Sequence, residues 1–356
     1  PGYIPQIPVV SIDREEGLEI IESIENDNEG IMHLFYNPDF IAHFSSRGPV
    51  SPFYIKPDIV APGAYINTTQ NNGIYNFTSG TSFAAPHVSG AAALLLQKNP
   101  ELENHEIKSL LVTTVQPVSD AYGQEFSLHE SGSGRLDIAN AYNAKLIISP
   151  TNFVINLSAD QPSIKKQLEL KLIEGNLEKI DVRFEGPKFI EFTHDIKNNN
   201  LQIGLNIVEE KYGEHEGKIF INHDKIQYTI PILIHHTEGS ISIIQENEKL
   251  FFEINHPDEW SFAKITIINS KNGNSDTIST TPDKKASLEI YENGEYWVDA
   301  KIKINGNTSE AFNTIKINSL SEKIEKSELR DIPEKQIILI VSIIVIIGIV
   351  GLIIRK

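Results

Sequence analysis

The chain has 356 residues, with 31 Lys plus Arg against 48 Asp plus Glu and a formal net charge of −17. That balance excludes a nucleic-acid binder, whose phosphate contacts need a basic surface. Hydrophobic residues at 40% and aromatics at 8% exclude a disordered chain, and the absence of cysteine removes disulfides, thiolate metal sites and thiol nucleophiles together. The length predicts two to three domains. A chain that opens on Pro1 rather than Met is expected to be a piece of a longer protein or a processed product.

Residues 1–29 contain one strand-like run, Ile7–Ile12, then Asp13-Arg14-Glu15-Glu16. Leu18, Ile20, Ile21 and Ile24 follow at helical spacing. In residues 30–143, short apolar strands at Ile31–Phe35 and Asp58–Ala61 lead into a small-residue helix from about Ser82 to Gln97. Its alanines (Ala84, Ala85, Ala91, Ala92, Ala93) predict a helix thin enough to be fully buried. A second helix is predicted from about Asn104 to Thr114, with Asn104 as N-cap and Ile107, Leu110 and Leu111 as the apolar stripe. Strands alternating with helices predict an α/β layered domain. The acidity concentrates here, with 17 acids and 6 bases in residues 1–144.

Beyond about residue 145 the period changes to two. Leu168, Leu170 and Leu172 alternate with polar residues, as do Ile180, Val182 and Phe184, then Leu201 to Ile207 and Ile226 to Ile234. This predicts half-buried antiparallel strands in a β-sandwich over 145–237. A second sandwich is predicted over 238–318, with Asn272-Gly273 and Asn293-Gly294 as two-residue hairpin signals and Tyr296 to Ile304 alternating after the second. Residues 319–335 are charged and read as a stalk. Residues 336–354 carry no charge and consist almost wholly of Ile, Val and Leu. As a helix they span roughly 27–29 Å, the thickness of a bilayer core. Arg355 and Lys356 follow directly and predict a cytoplasmic C-terminus, with everything before the span outside the cell. A lipid-anchor signal is disfavoured, since such tails end apolar. The Asn-x-Ser/Thr triplets at Asn67, Asn76, Asn156 and Asn307 are compatible with an exported chain.

Chemistry concentrates in Ser79-Gly80-Thr81-Ser82-Phe83-Ala84-Ala85-Pro86-His87-Val88-Ser89-Gly90. Gly80 and its polar neighbours make a tight turn, and Ser82 sits where the helix begins. A hydroxyl there faces unpaired backbone N–H groups and the positive end of the helix dipole. It is either an ordinary N-cap or a nucleophile whose acyl oxyanion those N–H groups stabilise.

This stretch resembles the nucleophile motif of the subtilisin-like serine proteases. Three further segments match that family in order: Phe44-Ser45-Ser46-Arg47-Gly48-Pro49, Lys56-Pro57-Asp58-Ile59-Val60-Ala61-Pro62-Gly63, and Gly132-Ser133-Gly134-Arg135-Leu136-Asp137. The resemblance implies that residues 30–143 are the C-terminal part of a three-layer α/β/α catalytic domain. It implies Ser82 as nucleophile, its backbone N–H as an oxyanion donor, and Gly80, Thr81, Pro86 and His87 as motif-supporting residues. The family's base His, orienting Asp and oxyanion Asn lie in motifs that do not occur here, and its chain order puts all three upstream. His87 lies five residues past Ser82 on the same helix and cannot serve as the base. His33 and His43 stand in strand-like context, and His105 and His129 lack the motif. Residues 1–29 look like the end of the protease-associated insertion of large cell-surface members. Residues 145–237 resemble a fibronectin-type or immunoglobulin-like sandwich, with Tyr212 to Gly217 as the turn before its last strands.

The expected protein is therefore a membrane-anchored cell-surface endopeptidase acting on protein or peptide substrates. This chain alone is expected to be inactive. The rival is a non-catalytic adhesion or scaffold protein with a degenerate protease domain. No cofactor is required. The family often binds calcium, and Asp58 with the acidic surface is compatible with a structural calcium ion, but no calcium loop marks its ligands. His235-His236 ends a strand without a partner at ligand spacing, so no metal is assigned there.

Overall fold

The computed structural model describes residues 14–25, 40–50, 53–120, 122–177 and 180–318. The strand-like runs near residues 7–12 and 31–35, His33, the stalk at 319–335 and the apolar segment at 336–354 lie outside the described residues. Among the described residues no helix is long and apolar enough to cross a membrane. Two compact units divide the chain. One runs to Asn152 and takes in Glu169–Arg183 and Ile219–Pro231. The other comprises Phe153–Leu168, Phe184–Lys218 and the chain from Ile232 onward.

In the first unit, α1 (Arg14–Glu25) forms where the apolar spacing predicts it, yet Leu18, Ile20, Ile21 and Ile24 are all exposed. β1 (Ile66–Thr69) and β2 (Tyr75–Thr78) make an antiparallel hairpin with Ile66 opposite Thr78. Then follow α2 (Thr81–Lys98), α3 (Asn104–Thr113), α4 (Leu128–Ser131), α5 (Ile138–Asn143) and β3 (Leu146–Ser149).

Three expectations need correction here. The segment 58–61 is extended but makes only an isolated bridge, Val60 to Arg135. Pro57 and Pro62 flank it without N–H groups, so a longer ladder has few donors to use. Second, α2 is not fully buried: only Ala91 and Leu95, one turn apart, are inaccessible. Among the described residues α2 meets α3 and α5, which cover one side of it. Third, the N-cap of α3 is Glu103, not Asn104. The Glu103 N–H donates to Glu106 Oε2 at 2.9 Å, so a carboxylate at the third helical position reaches back to close a capping box. The stripe Ile107, Leu110 and Leu111 is buried as expected. At the helix end the Thr113 and Thr114 hydroxyls donate to the Ser109 and Leu110 carbonyls.

The period-two region forms β4 (Phe153–Ser158), β5 (Ser163–Leu172), β6 (Asp181–Glu185), β7 (Ile190–Lys197), β8 (Asn200–Ile207), β9 (Gly213–His223) and β10 (Ile226–Thr237). Two four-stranded sheets result, in the orders β3-β5-β8-β7 and β4-β10-β9-β6. One pair departs from the antiparallel expectation: β4 and β10 run parallel, with Phe153 opposite Ile232. They lie far apart in sequence, so no hairpin dictates their direction. Residues Tyr228 to His236 of β10 are buried on both faces rather than alternately. Gly213 to Gly217 open β9 rather than forming a turn.

The chain continues through β11 (Ser240–Glu246), β12 (Lys249–Asn255), β13 (Phe262–Asn269), β14 (Ser275–Thr280), β15 (Ala286–Glu289), β16 (Gly294–Ile304) and β17 (Asn307–Ile317). Its sheets are β11-β12-β15 and β14-β13-β16-β17, closed over Ile241, Leu250, Ile265, Val298 and Ile302. Asn272-Gly273 does turn β13 into β14, but inside a longer loop in which Gly273 has φ +74. Asn293-Gly294 is no hairpin. It carries the chain from β15 to β16, which belong to different sheets, after Ile290 is buried and its N–H donates to the Glu248 carbonyl.

Burial pushes the Asp299 carboxyl, on β16, above its ordinary range. Its buried Oδ1 has no hydrogen-bond partner among the described residues. Burial disfavours its charged form, so Asp299 weakens the fold once pH exceeds the carboxylate range. Asp299→Asn is expected to raise stability at pH 7 by ~0.5–1 kcal/mol. Thermal unfolding at pH 7 and at acid pH checks this. The gain should shrink at the lower pH.

Candidate functional site

Two of the four glycine-containing segments meet at the start of α2, and the other two bond to residues 58–60 and to α4. The Gly80 N–H donates to the Gly63 carbonyl at 2.8 Å. A Cβ on Gly63 would stand 3.0 Å from the Gly80 carbonyl oxygen and 3.2 Å from Ala84 Cβ, so any side chain there would push the two turns apart by a few tenths of an ångström. The Tyr65 N–H donates to Ser79 Oγ at 2.9 Å and ties the foot of the β1–β2 hairpin to the same turn. In the Phe44–Pro49 segment, the Gly48 N–H donates to the His129 carbonyl and Arg47 pairs with Glu130 at 2.7 Å. Ser133, Gly134 and Leu136 bond the backbone of Asp58 and Val60 along residues 58–60.

Gly80, not Ser82, is the N-cap of α2, and no side chain caps the helix. Ser82 is the second helical residue. It is exposed, and among the described residues its hydroxyl has no hydrogen-bond partner. The Phe83 N–H folds back to the Gly80 carbonyl at 3.0 Å, while the Thr81 and Ser82 N–H groups precede any helical acceptor. The N-cap reading of Ser82 thus fails. Pro86, inside the helix, offers no N–H to the Ser82 carbonyl four residues earlier. His87 Nδ1 is bonded to the Phe83 carbonyl at 2.8 Å, which holds the ring along its own helix. Thr81 and Pro86 are exposed.

No histidine is brought to Ser82 among the described residues. His43 stands in a turn beside Phe44 rather than in a strand, His105 lies 3.3 Å from Glu103, and His129 sits on α4. Asp58 is spoken for. Lys56 pairs with Oδ2, and Lys108 of α3 lies 2.8 Å from Oδ1. Burial alone would raise the Asp58 carboxyl, but the two ammonium groups hold it below its ordinary range. Lys108 lies 50 residues along the chain from Asp58, so no local pattern signals the pair. No cluster of three or more metal-binding side chains occurs among the described residues. His236 Nδ1 is bonded to the Lys211 carbonyl at 2.8 Å, and His235 lies 3.8 Å from Glu214.

Residues 6–134 match the Subtilase family. Across that region, about a third of the chain, the sequence is similar to the subtilases. It is 25% identical over 259 residues to the minor extracellular protease Vpr of Bacillus subtilis, covering 66% of this chain and 32% of that protein. It is 40% identical over 119 residues to the subtilisin-like protease SBT3.16 of Arabidopsis thaliana, covering 30% of this chain and 16% of that protein. It is 36% identical over 126 residues to the PII-type proteinase of Lacticaseibacillus paracasei, covering 31% of this chain and 7% of that protein. The chain thus spans a third or less of the length of these relatives.

Proposed function

We propose that Ser82 is the nucleophile of a subtilisin-type serine endopeptidase that hydrolyses peptide bonds of extracellular proteins. The observation that carries this is the hydroxyl of Ser82, exposed at the second position of α2 and relieved of capping by Gly80. In the proposed reaction Ser82 Oγ bonds to the scissile carbonyl carbon while its proton passes to a histidine. That proton then goes to the leaving amine as the C–N bond breaks, and water hydrolyses the remaining ester. The Ser82 N–H helps to hold the oxyanion. The histidine, its orienting aspartate and an oxyanion asparagine are assigned to residues beyond this chain. The open side of α2 supports that assignment, since it offers a surface for the remainder of a catalytic domain. The protease names of the relatives weigh against the adhesion reading, and the word extracellular in one of them suits a chain exported from the cell.

A fluorophosphonate probe tests the proposal. The complete enzyme should be labelled at Ser82, and this chain alone should not. Ser82→Ala in the complete enzyme should abolish labelling and cut kcat by about 10⁵–10⁶. Undiminished activity in Ser82→Ala would overturn the assignment.

We also place residues 336–354 across the membrane, with Arg355 and Lys356 in the cytoplasm. Deleting 336–356 is expected to move the protein from the detergent phase to the aqueous phase on partitioning.

Oxidation gives a separate check. The family often carries Met directly after the nucleophile, where oxidation to the sulfoxide harms the site. Here Phe83 stands in that place, and the chain holds a single Met, Met32, and no Cys. Activity of the complete enzyme is expected to survive peroxide, measured as residual turnover against time. A rapid loss with oxidation mapped to the site would count against it.

A further inference from the structure

The sequence leaves open whether the two β-sandwiches are spacers or substrate-binding modules. β10 ends at Thr237 and β11 begins at Ser240, so only Glu238 and Gly239 lie between them. Both ends of that connection are pinned. Thr237 Oγ1 donates to the Gly239 carbonyl at 2.8 Å and to the Leu157 carbonyl of β4 at 3.3 Å. The Thr237 carbonyl accepts the Ala159 N–H at 3.2 Å. A Cβ on Gly239 would stand 2.7 Å from His256 Cδ2 and 3.2 Å from the Asn255 carbonyl oxygen, so β12 packs directly on the connection. The His256 side chain is fully buried and lies 3.6 Å from Glu238.

Asp160, in the turn between β4 and β5, spans the joint. Its Oδ1 accepts from Ser158 Oγ at 2.6 Å, within its own turn. Its Oδ2 accepts from Ser240 Oγ at 2.6 Å and from Asn255 Nδ2 at 3.2 Å. Ser240 and Asn255 face each other as the first rung of the β11–β12 ladder, so one carboxylate oxygen holds both strands of that edge. Burial would raise this carboxyl, but the three donors keep it below its ordinary range. A second contact lies elsewhere. The His235 ring on β10 is 5.0 Å from the Phe312 ring on β17, and β17 also meets β4.

We infer that β4 and the end of β10 are joined to β11, β12 and β17 as one rigid strut, clasped by Asp160 at one point and by the His235–Phe312 contact at another. Two separated attachments oppose both bending and twisting, whereas a two-residue linker alone would leave both free. The joint between β10 and β11 then acts as a fixed spacer element rather than as a hinge. This inference does not depend on the role of Ser82.

The test is a pair of spin labels on the full chain in mild detergent. Because the chain has no cysteine, single cysteines can be placed cleanly at the exposed Lys165 and Lys285. Pulsed dipolar spectroscopy should return one narrow distance distribution. Asp160→Ala combined with Phe312→Ala should broaden it about twofold or more while circular dichroism stays unchanged. A broad distribution in the parent chain would overturn the strut. A distribution that stays narrow in the double variant, and in Ser240→Ala with Asn255→Ala, would overturn the clasp. Should the first double variant not fold, the second pair decides, since it leaves Asp160 and Phe312 in place.

Discussion

Ser109→Ala is expected to lower stability by ~2–4 kcal/mol, measured by urea unfolding. Ser109 is buried on α3, and its hydroxyl both donates to the Ile148 carbonyl at 2.8 Å and accepts the Ile148 N–H at 2.9 Å. Ile148 lies in β3 and is fully buried, so removing the hydroxyl strands a donor and an acceptor away from water. Three further bonds lie beside this seam. Glu106, buried on α3, pairs with Lys171 of β5. The Tyr228 hydroxyl accepts the N–H groups of Lys145 and Leu146 at 3.0 and 3.1 Å. Glu106 is held below the ordinary carboxylate range, first by Lys171 and then by the Glu103 N–H. Its contribution is therefore complete above the ordinary Glu pKa and is lost as pH falls through the lower folded value. A thermal-unfolding series against pH should show this acid loss, and Glu106→Gln should flatten it. The seam also predicts that a chain cut after Ala144 loses the packing of α3. A cooperative, unchanged unfolding transition in that truncated chain would disprove the seam's importance.

Gly132→Ala should be more severe, costing ~3–5 kcal/mol or preventing folding. Gly132 has φ +59 and ψ −132, a conformation that L side chains rarely adopt. A Cβ there would lie 2.2 Å from the Pro57 carbonyl oxygen and 2.5 Å from that of Asp58. The neighbour is backbone and cannot rotate aside. Displacing residues 57–60 would strip their bonds to Ser133, Gly134 and Leu136, and then disturb Gly63, which accepts the Gly80 N–H beside Ser82. Gly90→Ala is the control. It lies within α2 with open space around its Cβ position, so this chain should gain ~0.5–1 kcal/mol from the better helix former. Denaturant midpoints of the two variants should move in opposite directions.

Much of this arrangement was legible beforehand. The period-two runs marked β5, β8 and β16, because burial on one face imposes a period on the sequence, and the small-residue stretch marked α2. The turn at Gly80 was read from its composition, whereas the close backbone approach at Gly63, Gly132 and Gly134 emerges only from the fold. What failed was pairing. Asn293-Gly294 has the composition of a hairpin turn but joins different sheets, and β4 pairs in parallel with a strand more than seventy residues away. Turn composition reports local backbone conformation and says nothing about which sheet receives the next strand.

The candidate nucleophile divides in the same way. By itself the sequence determined that Ser82 opens a helix after a glycine turn, because turn chemistry, helix propensity and motif order are properties of neighbouring residues. Tertiary structure alone decided that Gly80 does the capping and leaves the hydroxyl free, that Lys108 neutralises Asp58, and that one side of α2 stays open. The last two depend on groups brought together from distant positions in the chain. Burial and charge pairing are set by which surfaces meet in space, and that information is spread across the whole fold.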